Sequence, residues 1–211
     1  MKTNRNRIIY FFILSLVSLS LLYCNSRSTG DVVYIENDEI QLGFDRSSGN
    51  LLIFRNLTNS WNFLDTTITT GSLWEIDFLH SPEIKALDMT TSSDFSFSRP
   101  DSRTIQLTWE NFSNVENKDL KVIATVMIEK EKPFSSWKIN VEGMEGEKVH
   151  RVGFPQIGGI KDLGDEYLAV PAWMGQKIRE PRNHLSRIDN RAKTYEWEYP
   201  GRFSMQCLAL Y

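Results

Sequence analysis

The chain has little of what metal, redox and disulfide chemistry requires: two cysteines and three histidines in 211 residues. One pair of thiols, Cys24 and Cys207, cannot build the disulfide framework of a small secreted module. His80, His150 and His184 are scattered, with no second His or Cys at ligand spacing. The acidic residues gather into no oxygen-rich loop, so neither a metal nor another cofactor is expected. Each histidine has a plain structural reading: His80 in a turn before Ser81-Pro82, His150 at a strand edge beside Arg151, His184 in a polar loop. Positive charge is also short, at 24 basic against 27 acidic residues, which argues against nucleic acid or anionic lipid as partners. No window has the 3.6-residue apolar period of an amphipathic helix, and no internal repeat or long low-complexity segment is present. Gly153-Phe-Pro-Gln-Ile-Gly158-Gly159 lacks the strand-to-helix context and the basic residue of a phosphate loop, and reads as a bend between strands.

What is present begins with a leader. Lys2, Arg5 and Arg7 precede an apolar run from Ile8 to Leu22 that is short for a membrane span. Cys24 directly after that run resembles the lipobox of bacterial lipoproteins, although Tyr23 stands where a small residue is usual. The resemblance implies export to a bacterial cell envelope, cleavage before Cys24 and lipidation of its thiol, so that the membrane is met through the lipid only. The alternative is an ordinary cleaved signal and a soluble exported protein. Residues 1–23 are thus read as a signal peptide with a signal helix, 24–30 as a small polar tether, and 31–211 as one domain. Removing the three basic residues of the leader leaves 21 basic against 27 acidic residues in the mature part.

The body reads as strands. Ile40, Leu42 and Phe44 alternate with polar or small residues; Asp45 to Asn50 turns the chain, with Gly49 where positive φ is wanted, into Leu51–Phe54. Further strands are expected at 73–79, 94–98, 104–109, 121–128 and 136–141. In the last, Trp137, Ile139 and Val141 point one way and Ser136, Lys138 and Asn140 the other, the mark of a sheet with one wet face. Trp61, Trp74, Trp109 and Trp137 are read as core. Many short strands with frequent turns argue an all-β, antiparallel β-sandwich. The run from Phe203 to Tyr211 ends in an extended apolar stretch, with Cys207 read as a small buried hydrophobe, and its sheet neighbours are expected beyond residue 211.

The stretch "ENDEIQLGFDRSSGNLLIFRN" resembles the opening of the galactose-mutarotase-like β-supersandwich. "VPAWMGQKIREP" and "YPGRFSMQCLALY" resemble the N-terminal domain of bacterial glycosidase-like proteins related to the endo-α-N-acetylgalactosaminidases. In that family the supersandwich precedes a (β/α)8 barrel that carries the catalytic carboxylates. The resemblance therefore implies a non-catalytic carbohydrate-binding or scaffolding module, and a catalytic barrel as its missing C-terminal partner. Competing readings are a stand-alone carbohydrate-active enzyme, a mutarotase or a polysaccharide lyase, and a purely structural surface lipoprotein.

Glycoside hydrolysis needs two facing carboxyl groups. Asp189, Glu196 and Glu198 are close in sequence but lie among Arg187, Arg191 and asparagines, where pairing or solvation is the plainer role. No catalytic residue is assigned. Sugar binding fits better, because pyranose C–H groups lie on aromatic faces and hydroxyls take planar polar partners. The long stretch from Trp173 to Tyr199 supplies both, and Trp173, Arg179, Arg182, His184, Trp197 and Tyr199 are the candidate carbohydrate contacts. The alternative is that its aromatic residues pack against the barrel. The sequons at Asn56 and Asn111 are read as accidental in a bacterial chain.

Overall fold

Strand-period alternation builds antiparallel sheets throughout, and the protein is all-β with the character of a β-sandwich. The computed structural model describes residues 31–65, 67–68, 71–79, 86–113, 115, 117, 119–144, 148–172, 174–183, 201, 203–205 and 207–211. The signal peptide, Cys24 and the tether lie outside these. Among the described residues no helix is long and apolar enough to cross a membrane.

The described residues through Asn62 and those from 71 to Ile157 form one compact unit; those from Phe63 to Ile68 and from Gly158 onward form a second. The first unit is organised by a four-stranded meander, β6 (Ser92–Asp101), β7 (Thr104–Phe112), β8 (Lys121–Ile128) and β9 (Ser135–Glu142). Its register lines apolar side chains into cross-strand rows: Phe95, Trp109, Val122 and Val141, then Phe97, Leu107, Ala124 and Ile139. On β7 and β8 these positions are buried, and burying a side chain the size of Val122 or Leu107 contributes about 1.5–3 kcal/mol. The opposite face carries Ser96, Thr108, Asn140, Gln106, Thr125 and Lys138, which is the wet face that the β9 alternation predicts.

Ahead of the meander, β1 (Val32–Glu36), β2 (Ile40–Asp45) and β3 (Leu51–Asn56) form a sheet whose central strand is almost wholly buried. Asn37 sets the first hairpin: its Oδ1 accepts from the Glu39 and Ile40 amides at 2.9 and 2.8 Å, and its Nδ2 donates to the Glu129 carbonyl at 2.7 Å. The second turn is held by Asp45, whose Oδ1 accepts from the Ser47 and Ser48 amides at 2.8 and 3.0 Å. Gly49 has φ +78°, and a Cβ there would come within 2.5 Å of Phe95 and 2.8 Å of Trp109, so only glycine lets the turn lie against the meander. The Trp109 indole donates to the Ser48 carbonyl at 2.9 Å and fastens the same contact.

A third sheet of the unit has β4 (Glu75–Phe78) between β5 (Ala86–Asp88) and β10 (Val149–Gly153). Trp74, just before β4, is fully buried and meets Trp109 and Phe112 edge to face at 5.6 and 6.1 Å. Asp88 caps a short 3-10 helix, Met89–Thr91, in a capping box that leads into β6. Trp137 touches Phe44 and Phe154 at 5.9 and 6.1 Å. Trp61 departs from its core reading: it is 45% exposed, because the Asn56 turn carries it outward. There Asn56 Oδ1 accepts from Thr58 and Asn59, so the first sequon serves as an Asx turn.

The second unit contains β11 (Tyr167–Val170), β12 (Gln176–Arg179) and β13 (Ala209–Leu210), with β11 in the middle. The terminal strand thus has a partner within the described chain, since Tyr167 and Tyr211 exchange backbone hydrogen bonds at 2.7 and 3.0 Å. Cys207 corrects its reading as a buried thiol: it is exposed and precedes the strand.

Candidate functional site

The segment read as one long irregular loop from Trp173 to Tyr199 opens as a hairpin. β11 and β12 pair from Tyr167 with Arg179 to Val170 with Gln176, and Gly175, just before β12, has φ +94°. "YLAV" followed by a Pro-to-Gly turn and "QKIR" carried the hairpin signal; the density of arginines and aromatics beyond it masked the short strands.

Of the six candidate contacts, Arg179 and Arg182 are described; Trp173, His184, Trp197 and Tyr199 lie outside the described residues, as do Asp189, Glu196 and Glu198. The two arginines differ in their partners. Arg182 Nε donates to Glu166 Oε1 at 2.5 Å, and its Nη2 donates to Glu166 Oε2 at 3.3 Å and to the Lys161 carbonyl at 2.8 Å. Glu166 is nearly fully buried, and its Oε2 also accepts from the Leu163 amide at 3.4 Å. This fork is a structural clamp. Its cause is local: Glu180 holds φ +50° at the end of β12, donates its amide to the Glu166 carbonyl, and turns the chain into the helical residues 181–183 that bring Arg182 back. Arg179 stays on the exposed face of β12, 3.4 Å from an equally exposed Asp165, a pair worth little in water.

Sequence reading missed what surrounds Arg179. Because side chains alternate across a strand, Tyr211, Tyr167 and Arg179 form one cross-strand row, and Ala209, Ala169 and Lys177 form the next on the same face. The two tyrosine rings are near parallel, at 25°, with centroids 6.1 Å apart. Lys177 Nζ lies 4.0 Å from the Tyr167 centroid and 5.3 Å from that of Tyr211, a cation–π contact of about 0.5–1 kcal/mol at an exposed site. Beside the tyrosines is an open groove of about 430 Å³ whose lining includes Ala169, Gln176, Lys177, Met205, Cys207 and Ala209. Val170, Pro171 and Leu208 add apolar surface to the lining. Ser204, whose Oγ and amide both donate to the Pro171 carbonyl, ties the 203–205 segment to the hairpin turn.

Arg151 on β10 bridges Asp77 at 2.7 Å and Glu75 at 3.7 Å on β4, and His150 is exposed on the same edge strand. Among the described residues no cluster of three or more His, Cys, Asp or Glu could hold a metal ion. Comparison with protein-family models gives no match, and comparison with curated proteins gives none either.

Proposed function

We propose that this chain is a non-catalytic carbohydrate-binding and scaffolding module of an exported glycoside-hydrolase-like protein, attached to a bacterial envelope through Cys24. The observation that carries the binding part is the near-parallel pair of Tyr167 and the exposed Tyr211, on the same strands that line an open groove. The exposed ring of Tyr211 offers a face to the C–H side of a pyranose, while Lys177 and Arg179 on the same face of the sheet take its hydroxyls. The scaffolding part, buttressing a following catalytic barrel, rests on the resemblance of "VPAWMGQKIREP" and "YPGRFSMQCLALY" to glycosidase-like proteins.

The test is retention on a glycan array of the wild-type chain and of Tyr211→Ala, with folding checked by circular dichroism. Tyr211 is more than half exposed, so its removal should leave the fold intact and weaken retention roughly tenfold, the size of one lost stacking contact. A wild-type chain that holds no glycan, or a variant that holds glycan as well as wild type, defeats the reading.

A further inference from the structure

We infer that the groove of the second unit selects sugar units bearing a carboxylate, an inference that rests on the carbohydrate reading and narrows it. The groove lining contains one charged side chain, Lys177, and no carboxylate among the described residues. The neighbouring acidic groups have other partners: Glu166 is clamped by Arg182, and Asp165 faces Arg179. Lys177 has no carboxylate partner among the described residues. Its ammonium lies over the two tyrosine rings, and Lys177 is also part of the groove lining.

That arrangement fits an acidic pyranose. A ring seated in the groove lies within reach of Lys177, which lines it. A carboxylate on that ring makes a charge-assisted hydrogen bond, roughly twice as strong as the bond a neutral hydroxymethyl group would make. The whole chain carries a formal charge of -3, which opposes nonspecific capture of polyanions. Attraction to an acidic glycan must therefore come from this local cation and from contact with the sugar.

Binding of the full chain to polygalacturonate, alginate and hyaluronan, each native and carboxyl-reduced, with poly-glutamate as a sugar-free polyanion, tests this by isothermal titration. At least one native polymer should bind about tenfold tighter than its reduced form. Lys177→Gln should erase that difference, and Lys177→Arg should keep it. Native and reduced forms bound equally by wild type overturn the charge preference and leave the carbohydrate reading standing. Poly-glutamate bound as tightly as the best uronate overturns both. Binding to none of the polymers overturns the preference, and the glycan array then decides the broader reading.

Discussion

Trp74 and Trp109 meet edge to face at the centre of the first unit, both fully buried, and only Trp109 has its indole N–H satisfied. The Trp109 donor reaches the Ser48 carbonyl; the Trp74 Nε1 is buried without a partner among the described residues. An unsatisfied buried donor costs about 1–3 kcal/mol. Trp74→Phe removes that donor along with some volume, whereas Trp109→Phe removes a made bond and strands an acceptor. Trp74→Phe should therefore be the milder change by about 1–2 kcal/mol, measured by urea denaturation. Equal losses would contradict the pairing described for the two rings.

Arg182→Ala should loosen the second unit. It leaves the Glu166 carboxylate buried without its cation, a change that costs 3–5 kcal/mol in a dry site; with Arg182 half exposed, about 2–3 kcal/mol is expected. Hydrogen exchange at Leu168, Ala169 and Ile178 should quicken accordingly, while amides of β7 and β8 keep their protection. Adding Glu166→Gln to Arg182→Ala should restore part of the loss. Unchanged exchange in β11 would refute the clamp.

Asp45 makes the β2–β3 turn acid-sensitive. Burial pushes its carboxyl up, but the hydroxyl and amide of Ser47, with those of Ser48, outweigh burial and hold it below the usual aspartate value. A depressed folded value means that its contribution is complete above the unfolded pKa, about 3.9, and is lost as pH falls through the folded value. Between about pH 5 and pH 2 the wild type should lose more stability than Asp45→Asn, read as the pH dependence of the denaturation midpoint. Parallel curves would remove Asp45 from the account.

Cys207 is exposed and lines the groove. Iodoacetamide under native conditions should therefore alkylate it nearly fully, as located by peptide mass spectrometry. A thiol that reacts only after denaturation would return Cys207 to the buried position expected of an apolar strand.

Much of the first unit was legible because its strands alternate cleanly. β8 spans Lys121 to Ile128 as expected, and the Asp45-to-Asn50 turn with Gly49 announced the β2–β3 hairpin. Less legible were elements whose partners are remote: β10 has exposed residues at most positions and becomes a strand by pairing with β4. The second unit was harder. "QKIR" is four mostly polar residues, and its strand identity comes from β11, not from its own pattern. Arg182 read as a sugar contact because a sequence does not display the buried Glu166 that holds it. The tyrosine row escaped notice because Tyr167 and Tyr211 are brought together only by the β11–β13 register.

The meander β6–β9 joins each strand to the next along the chain, whereas β4 waits for β10: Asp77 and Arg151, which bridge them, are 74 residues apart. During synthesis the meander can assemble soon after Glu142 leaves the ribosome, with β4 still lacking one neighbour. In that interval the edge of β4 is open to another chain. A nascent chain that ends before Val149 thus bares a strand edge that β10 later covers.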